Sequence, residues 1–267
     1  MYKPFVIGLF AIIFLSGCID PLQNPADILE SSQKKLEALS YIVEYNTQTE
    51  TIINSRPLKQ EFRLVELKKG SNKKTSLYAN EIVLLQEFIE SEFGQFLCVY
   101  GEKIENVTCL VLDKQTSVSQ IDGVKKLSEL GVLSVKMSDK TISIGNKARQ
   151  CYNLEYELNL KELKNQTAKE ILQFISQTYT IEDEEAPSFD SITELKSNTC
   201  LDKETGIPLE LSSTVGYQVE GFLGKASFKQ KTKQNAVLIQ INPLISQVEF
   251  NLPKDTDIEL LPEEGLL

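Results

Sequence analysis

The chain lacks two side chains on which much enzyme chemistry and sugar recognition depend. Among its 267 residues there is no histidine and no tryptophan. Without histidine there is no imidazole to activate a serine or cysteine nucleophile, to act as a general base or to bind zinc. Without tryptophan the chain lacks the best aromatic platform for cations and sugar rings. These two absences disfavour many classes of enzyme before any motif is considered.

Positive charge is also scarce. The chain has 28 lysines and arginines against 38 aspartates and glutamates, so its formal net charge is −10. This balance disfavours nucleic acid as a partner, because the phosphate backbone requires a basic surface. It equally disfavours electrostatic docking on anionic lipid, so any attachment to a membrane must be apolar or covalent. Solubility alone is a sufficient explanation of the negative charge.

The one long apolar run lies at the amino terminus. Lys3 provides a weak positive charge, and the apolar residues 5–15, about eleven in number, suit a signal peptide better than a membrane span of about 20. The run ends in LSGC, which resembles a lipobox. We predict a lipoprotein signal peptide over residues 1–17, cleavage between Gly17 and Cys18, and a diacylglyceryl group on the Cys18 sulfur. The alternative is an uncleaved signal anchor with an incidental cysteine.

Residues 18–26 are mostly polar and contain two prolines, which suits a short tether. A diacylglyceryl group supplies the two acyl chains that stable anchoring takes. We therefore expect a lipid-anchored protein on the outer face of the cytoplasmic membrane, at the cell surface or in a periplasm-like space. Beyond the tether we expect one folded domain over residues 27–255 and an acidic tail over residues 256–267.

Four cysteines remain once Cys18 is set aside, and an even number in an exported chain suggests disulfides. Two strands around a polar turn would place Cys98 opposite Cys109, with Phe96 opposite Val111 and Tyr100 opposite Val107 on the same face. This parity predicts a Cys98–Cys109 bridge. Cys151 and Cys200 then pair by elimination. A metal site or a redox pair is the alternative, disfavoured because C-x-x-C and histidine are both absent.

Two other local patterns are candidate sites. The tripeptides at Asn106 and Asn165 match the glycosylation sequon, which occurs often by chance. The acidic run at residues 182–185 could serve a carboxylate enzyme or a calcium site, but it lacks the spacing that either requires and is typical of a solvated loop. We predict no catalytic residue, no metal and no cofactor.

The chain opens with a helix and continues mainly as strands. Apolar residues at helical spacing after Asp27, the candidate N-cap, give way to the alternating Tyr41, Val43 and Tyr45 of a strand. A hairpin is predicted with its turn at residues 69–72, and a short helix over residues 121–130 ends at Gly131. A second amphipathic helix is predicted within residues 160–179. Its apolar side carries Leu160, Leu163, Ile171, Phe174 and Ile175.

Consecutive strands joined by short turns, with few helices, predict an antiparallel sheet with the helices on one face. The fold class is therefore α+β. The order of four segments also resembles the lipoprotein carrier (LolA-like) superfamily. These segments are SYIVEYNTQT, GNKARQCYNLEYEL, CLDKETGIPLELS and VEFNLPKD, and the resemblance spans about residues 26–255.

The resemblance implies an open, strongly curved antiparallel sheet, or half-barrel, with helices on its concave face and a cavity for acyl chains between them. It implies no catalytic residue, and it transfers no ligand-binding residue to a numbered position here. Because the chain is predicted to be anchored, the expected function is a tethered carrier, acceptor or sensor of a hydrophobic or lipid-like ligand. The alternative is a structural or sensory surface lipoprotein that acts through a protein partner and binds no small ligand.

Overall fold

The computed structural model describes residues 24–80, 82–101, 107–112, 120–164, 167, 192–221, 224–253 and 256–260. Within them the chain forms two α-helices, α1 (Pro25–Ala38) and α2 (Gln120–Glu129), and twelve strands that make one sheet. The strands are β1 (Tyr41–Ile53), β2 (Arg56–Lys69), β3 (Asn72–Ala79), β4 (Val83–Ser91), β5 (Gly94–Tyr100), β6 (Val107–Leu112), β7 (Leu133–Ile144), β8 (Lys147–Leu158), β9 (Ile192–Asp202), β10 (Pro208–Gly221), β11 (Gly224–Ile241) and β12 (Thr256–Leu260).

The sheet is open, with β12 at one edge and β7 at the other. Its strand order is β12-β6-β5-β4-β3-β2-β1-β11-β10-β9-β8-β7. Most neighbours are consecutive in sequence and joined as hairpins, and β1 joins the two halves by pairing with β11. The predicted open antiparallel sheet with few helices is confirmed. Its strong curvature and the place of the helices on a concave face stay predictions.

The carboxyl end departs from the predicted acidic tail over residues 256–267. Thr256–Leu260 form β12, which pairs in parallel with β6 so that Thr256 lies opposite Val107. A parallel pair was not expected in a sheet predicted to be antiparallel throughout. The prediction of a tail at these five residues was wrong because alternation in a segment this short is weak, and its partner strand lies far away in sequence.

Helix α1 begins earlier than the sequence suggested. The Asn24 side chain accepts a hydrogen bond from the Ala26 N–H, and Pro25 occupies the first helical position, where its missing N–H costs nothing. Asn24 is therefore the N-cap, and the prediction of Asp27 was wrong. Asp27 lies in the first turn instead, where its carboxylate interacts favourably with the helix dipole.

Several local predictions are confirmed. Lys69 lies opposite Asn72 across a tight turn in which Gly70 has a φ of +60°, so the β2–β3 hairpin is the one expected. Helix α2 ends as predicted, with Gly131 just beyond it at a φ of +68°, a conformation that glycine adopts without steric cost. Tyr41, Val43 and Tyr45 are all buried.

The apolar core forms along the sheet in separate clusters. The largest contains Tyr41, Val43 and Tyr45 of β1 with Leu209 of β10 and Ile207, which directly precedes that strand. A second cluster joins Ile28 of α1 to Leu154 and Leu201, so the amino-terminal half of α1 covers β8 and β9. Two further clusters surround Ile89 and Leu127. Helix α1 is thus anchored by its apolar side at two points of the sheet.

Several predicted features lie outside the described residues. They include the signal peptide with Gly17 and Cys18, the sequon residues Asn106 and Asn165, and the acidic run at residues 182–185. The amphipathic helix predicted within residues 160–179 is described mainly at its start, where Glu162–Lys164 form one 3-10 turn and Leu163 is buried.

Candidate functional site

One face of β1–β6, which we call the helix face, carries Tyr41, Val43 and Tyr45. Helix α1 lies against it, because Leu36 and Leu39 pack on the same cluster as these three residues. Residues directly opposite each other on neighbouring strands point to the same side of a sheet, so the register identifies the rest of this face. Its residues fall into cross-strand rows that change from polar to apolar along the strands.

The first row, the polar row, crosses five strands beside the carboxyl end of α1. Tyr41 lies opposite Lys68, Lys68 opposite Lys73, Lys73 opposite Glu90, and Glu90 opposite Gln95. A row of hydroxyl, ammonium, carboxylate and amide groups on adjacent strands provides both hydrogen-bond donors and acceptors within a short distance. Such a row can hold a polar or charged chemical group.

A cleft of about 600 Å³ lies between the polar row and helix α1. The helix contributes Gln33, Leu36 and Glu37 to its lining. The sheet contributes Tyr41, Lys68, Lys73 and Glu90, together with the β2–β3 turn at Gly70 and Ser71. This volume is within the range of small-molecule sites, about 300–1,000 Å³. The cleft is therefore large enough for part of a ligand.

The carboxylate of Glu66 organises one wall of the cleft. It accepts a hydrogen bond from the Tyr41 hydroxyl at 2.5 Å, and it forms an ion pair with Lys73 Nζ at 3.2 Å. Burial, and then the adjacent Glu66 carboxylate, raise the pKa of Tyr41 well above its usual value. Tyr41 is thus held neutral with its hydroxyl directed at Glu66.

Lys68 performs a different role in the same cleft. Its Nζ donates to the carbonyl oxygens of Glu37 at 2.9 Å and Leu39 at 3.1 Å, which lie at the carboxyl end of α1. A lysine there is favourable because the terminal carbonyls of a helix have no partners within the helix and carry partial negative charge. Burial lowers the pKa of Lys68 below its ordinary value. Lys68 therefore joins the helix to the sheet at the edge of the cleft.

Beyond the polar row the helix face becomes apolar. In the next row Glu66 lies opposite Thr75, Thr75 opposite Phe88, Phe88 opposite Leu97, and Leu97 opposite Leu110. In the row after that, Leu64 lies opposite Leu77. Four side chains here are half-buried and belong to none of the apolar clusters formed by the described residues. They are Leu77, Phe88, Leu97 and Leu110.

The opposite face of β3–β6 is packed and internally satisfied. Its apolar residues, Ile89 and Phe96 among them, are covered by Leu252 from the carboxyl-terminal segment. Its buried carboxylate, Glu87, accepts hydrogen bonds from Ser76 Oγ at 2.8 Å and from the Tyr100 hydroxyl, and pairs with Lys74 Nζ at 2.8 Å. A buried polar network with every group bonded is a stabilising feature rather than a binding site.

A smaller groove of about 300 Å³ lies across β7–β10. Its lining is polar, with no aliphatic side chain, and includes Lys196, which pairs with Glu157 at 3.2 Å. Lysines and glutamates alternating on a sheet face are typical of a solvated surface. This groove does not match an apolar ligand.

None of the four cysteines predicted to form disulfides is among the residues that line the cleft. Cys98 and Cys109 are opposite each other and joined by a disulfide, with Cα atoms 4.0 Å apart, on the face that Leu252 covers. Phe96 faces Val111 and Tyr100 faces Val107, so the predicted register is confirmed. Cys151 and Cys200 form the second bridge, with Cα atoms 5.4 Å apart. All four sulfurs are buried, so these residues have a structural role.

The cleft itself was not predicted from the sequence. Its lysines and carboxylates occur within ordinary alternating strands, and only the order of the strands brings them into one row. Among the described residues, no group of three or more potential ligands is placed to bind a metal ion. No helix in the same part of the chain combines the length and apolar character needed to cross a membrane.

Comparison with known proteins returns no match to a protein-family model and none to a curated protein. Solved structures do match. An outer membrane lipoprotein-sorting protein domain from Vibrio parahaemolyticus is 10% identical, with a TM-score of 0.34, over 85% of this chain and 95% of that one. The MucA/MucB complex from Pseudomonas aeruginosa is 12% identical, with a TM-score of 0.41, over 86% of this chain and 61% of that one. A DUF1329 family protein from Desulfovibrio piger is 10% identical, with a TM-score of 0.34, over 85% of this chain and 95% of that one. Lipoprotein-sorting domains, the class that the sequence resembles, are thus among the structures returned.

Proposed function

We propose that this chain is a lipid-anchored, extracytoplasmic protein whose domain binds a hydrophobic or lipid-like ligand on the helix face. The observation that carries the proposal is the set of half-buried apolar side chains, Phe88 and Leu97 among them, beside the cleft under α1. An apolar surface next to a concave site with a few polar groups is the usual form of a small-molecule site.

Two further features support the location. The LSGC sequence ending at Cys18 supports a lipid anchor, and two disulfides suit an oxidising compartment outside the cytoplasm.

The proposed ligand is held by burial of its apolar part and is not chemically transformed. The proposed role is therefore that of a carrier, acceptor or sensor and not that of an enzyme.

The proposal can be tested on the full chain reconstituted in phospholipid vesicles that contain a photoactivatable fatty acid. After illumination, mass spectrometry should find the label on peptides from β2–β6. Leu97→Gln should lower the labelling about tenfold, because burying a leucine side chain is worth roughly 1.5–3 kcal/mol and 1.4 kcal/mol is a factor of ten.

Ile82→Gln is a matched control, since Ile82 is 83% exposed in the β3–β4 turn. It should leave labelling unchanged. If the label is spread evenly over the surface, or if Leu97→Gln has no effect, the proposal is wrong. Capture of one exported protein by a chain that takes up no label would instead favour the structural or sensory role.

A further inference from the structure

The cleft contains charges of both signs. Lys68 and Lys73 line it together with Glu37 and Glu90, and the Glu66 carboxylate in its wall pairs with Lys73. The register places these residues at one end of the apolar rows, since Thr75 and Phe88 follow Lys73 and Glu90 on the same face. A ligand with its apolar part on Phe88 and Leu97 would therefore have its polar end in this cleft.

Three of these charges have bonding capacity left over: Lys68 and Glu90 on the sheet, and Glu37 on α1, which accepts one hydrogen bond, from Gln33 Nε2 at 2.9 Å. Among the described residues, Lys68 and Glu90 belong to no ion pair. Lys68 Nζ has three donors and uses two of them on the carbonyl oxygens of α1. Glu90 accepts one hydrogen bond, from Gln95 Nε2 at 3.1 Å, through one of its two carboxylate oxygens. Lys68 can therefore still donate a hydrogen bond to an anion, and Glu90 can still accept one from a cation.

Lys68 and Glu90 are on β2 and β4, with Lys73 of β3 between them. Neighbouring strands are about 4.8 Å apart, so the two backbones are separated by roughly 10 Å. Lys68 Nζ is directed at the carbonyl oxygens of α1 and Glu90 is bonded to Gln95, so the two side chains form no ion pair with each other, and both can reach one small group placed over Lys73. The arrangement is complementary to a group that contains a negative and a positive charge.

We propose that the cleft binds the headgroup of a zwitterionic amphiphile, with its phosphate at Lys68 and its ammonium group at Glu90. The inference rests on the proposed function, because it assumes that the acyl chain lies on the apolar rows. A purely anionic headgroup would place its charge near Glu37 and Glu90 without supplying a cation for Glu90. Like charges at such distances repel, and the repulsion lowers affinity.

The test uses the full chain in vesicles of an uncharged glycolipid, digalactosyldiacylglycerol. Two photoactivatable probes with the same acyl chain are added separately at the same mole fraction: lysophosphatidylethanolamine, which is zwitterionic, and lysophosphatidylglycerol, which is anionic. We expect the zwitterionic probe to label the chain about fivefold more strongly than the anionic probe, the factor expected from one charge pair near a wet surface.

Substitutions then test the two charges one at a time. Lys68→Gln and Glu90→Gln should each lower labelling by the zwitterionic probe, and Glu90→Gln should narrow its advantage over the anionic probe. The midpoint of urea unfolding reports whether these variants still fold, because the fatty acid is itself an anion and its labelling also depends on these charges. Lys59→Gln, at a lysine whose side chain is 77% exposed, is the control and should change neither measurement.

The outcomes distinguish this inference from the proposed function. Equal labelling by both lysolipids, or stronger labelling by the anionic one, would overturn the headgroup assignment while the fatty-acid result still supported an apolar ligand. Failure of all three probes to label β2–β6 would overturn both. Preference for the zwitterionic probe that both substitutions reduce would support the assignment.

Discussion

Gly206 passes so close to Ser32 of α1 that no side chain fits between them. A Cβ atom at Gly206 would lie 2.9 Å from the Ser32 Cα and nearer still to the Ser32 carbonyl oxygen. The φ of Gly206 is +76°, and its N–H donates to the Asp202 oxygen at 2.8 Å. Nearby, Lys35 Nζ donates a hydrogen bond to the backbone carbonyl oxygen of Lys203 at 2.6 Å. The β9–β10 turn thus holds α1 in place above the sheet.

Gly206→Ala should destabilise the fold strongly. The left-handed backbone costs an alanine roughly 1–2 kcal/mol, and forcing a methyl group into a packed contact costs about 1–3 kcal/mol more. Gly145→Ala is the matched control, since Gly145 also has a positive φ, +57°, but has open space around it. Urea unfolding should show a clearly larger loss for Gly206→Ala. Equal losses would mean that the contact with Ser32 is not tight.

Glu87→Gln should also destabilise the protein. The glutamate side chain is 5% exposed and its partner Lys74 is 17% exposed, so removing the charge leaves the ammonium without its carboxylate. Loss of one member of a buried pair costs about 3–5 kcal/mol, and the remaining amide oxygen should reduce this to roughly 3 kcal/mol. Thermal or urea unfolding measures the change.

The exposed Glu30–Lys34 pair on α1 is the control for Glu87. Their side chains are 55% and 71% exposed, so solvent screens the interaction. Glu30→Gln should leave the midpoint of urea unfolding where it is. A similar shift in the unfolding midpoint for both glutamate variants would show that burial does not strengthen the Glu87–Lys74 pair.

The two disulfides should differ in their effect on stability. Cys98–Cys109 spans 11 residues and Cys151–Cys200 spans 49. Loop-closure entropy predicts losses of roughly 3 and roughly 4 kcal/mol when each pair is replaced by alanine. Urea unfolding of the two double variants should therefore rank Cys151→Ala/Cys200→Ala as the less stable. The reverse order would indicate residual structure in the unfolded chain.

Alkaline pH should weaken the fold through its buried tyrosines. Burial raises the pKa of Tyr156 to about 12, and burial with a nearby carboxylate raises that of Tyr41 further. Unfolded tyrosines lose their protons near pH 10, so above that pH the unfolded state binds fewer protons than the folded state. The free energy of unfolding then falls as pH rises, by about 1.4 kcal/mol per pH unit for each such tyrosine.

The lowered pKa of Lys68 acts in the opposite direction just below its unfolded value, because there the unfolded state binds more protons. Tyr156→Phe isolates one contribution. Between pH 10 and 12 its free energy of unfolding should decline less steeply than that of the original chain, as measured by urea unfolding at several pH values. Parallel curves would contradict the assignment.

Local features of the fold were predictable where neighbouring residues determine them. The alternation at Tyr41, Val43 and Tyr45 identified a strand, and the parity of Cys98 and Cys109 identified the register of a hairpin. The N-cap was misplaced at Asp27 because Asn24 and Pro25 appeared to belong to the tether. Each of these depends on a few consecutive residues, for which propensity and turn chemistry are informative.

Long-range pairing was beyond such reasoning. β1 pairs with β11, so Tyr41 meets Ile241, and no local pattern specifies that contact. The same limit explains why β12 was missed and why the polar row was not foreseen. Lys68, Lys73 and Glu90 become neighbours only because β2, β3 and β4 are adjacent in this register. The chemistry of the cleft is thus a property of the topology rather than of any motif.

The position of β12 has a consequence for biosynthesis. A chain synthesised from its amino terminus contains β5 and β6 long before the strand that covers the outer edge of β6, because β12 lies far beyond them in sequence. Until then β6 presents unpaired backbone groups, which invite pairing with other chains. A chain truncated shortly before Thr256 would therefore have a nearly complete sheet in which β6 is an unpaired edge strand, able to pair with other chains.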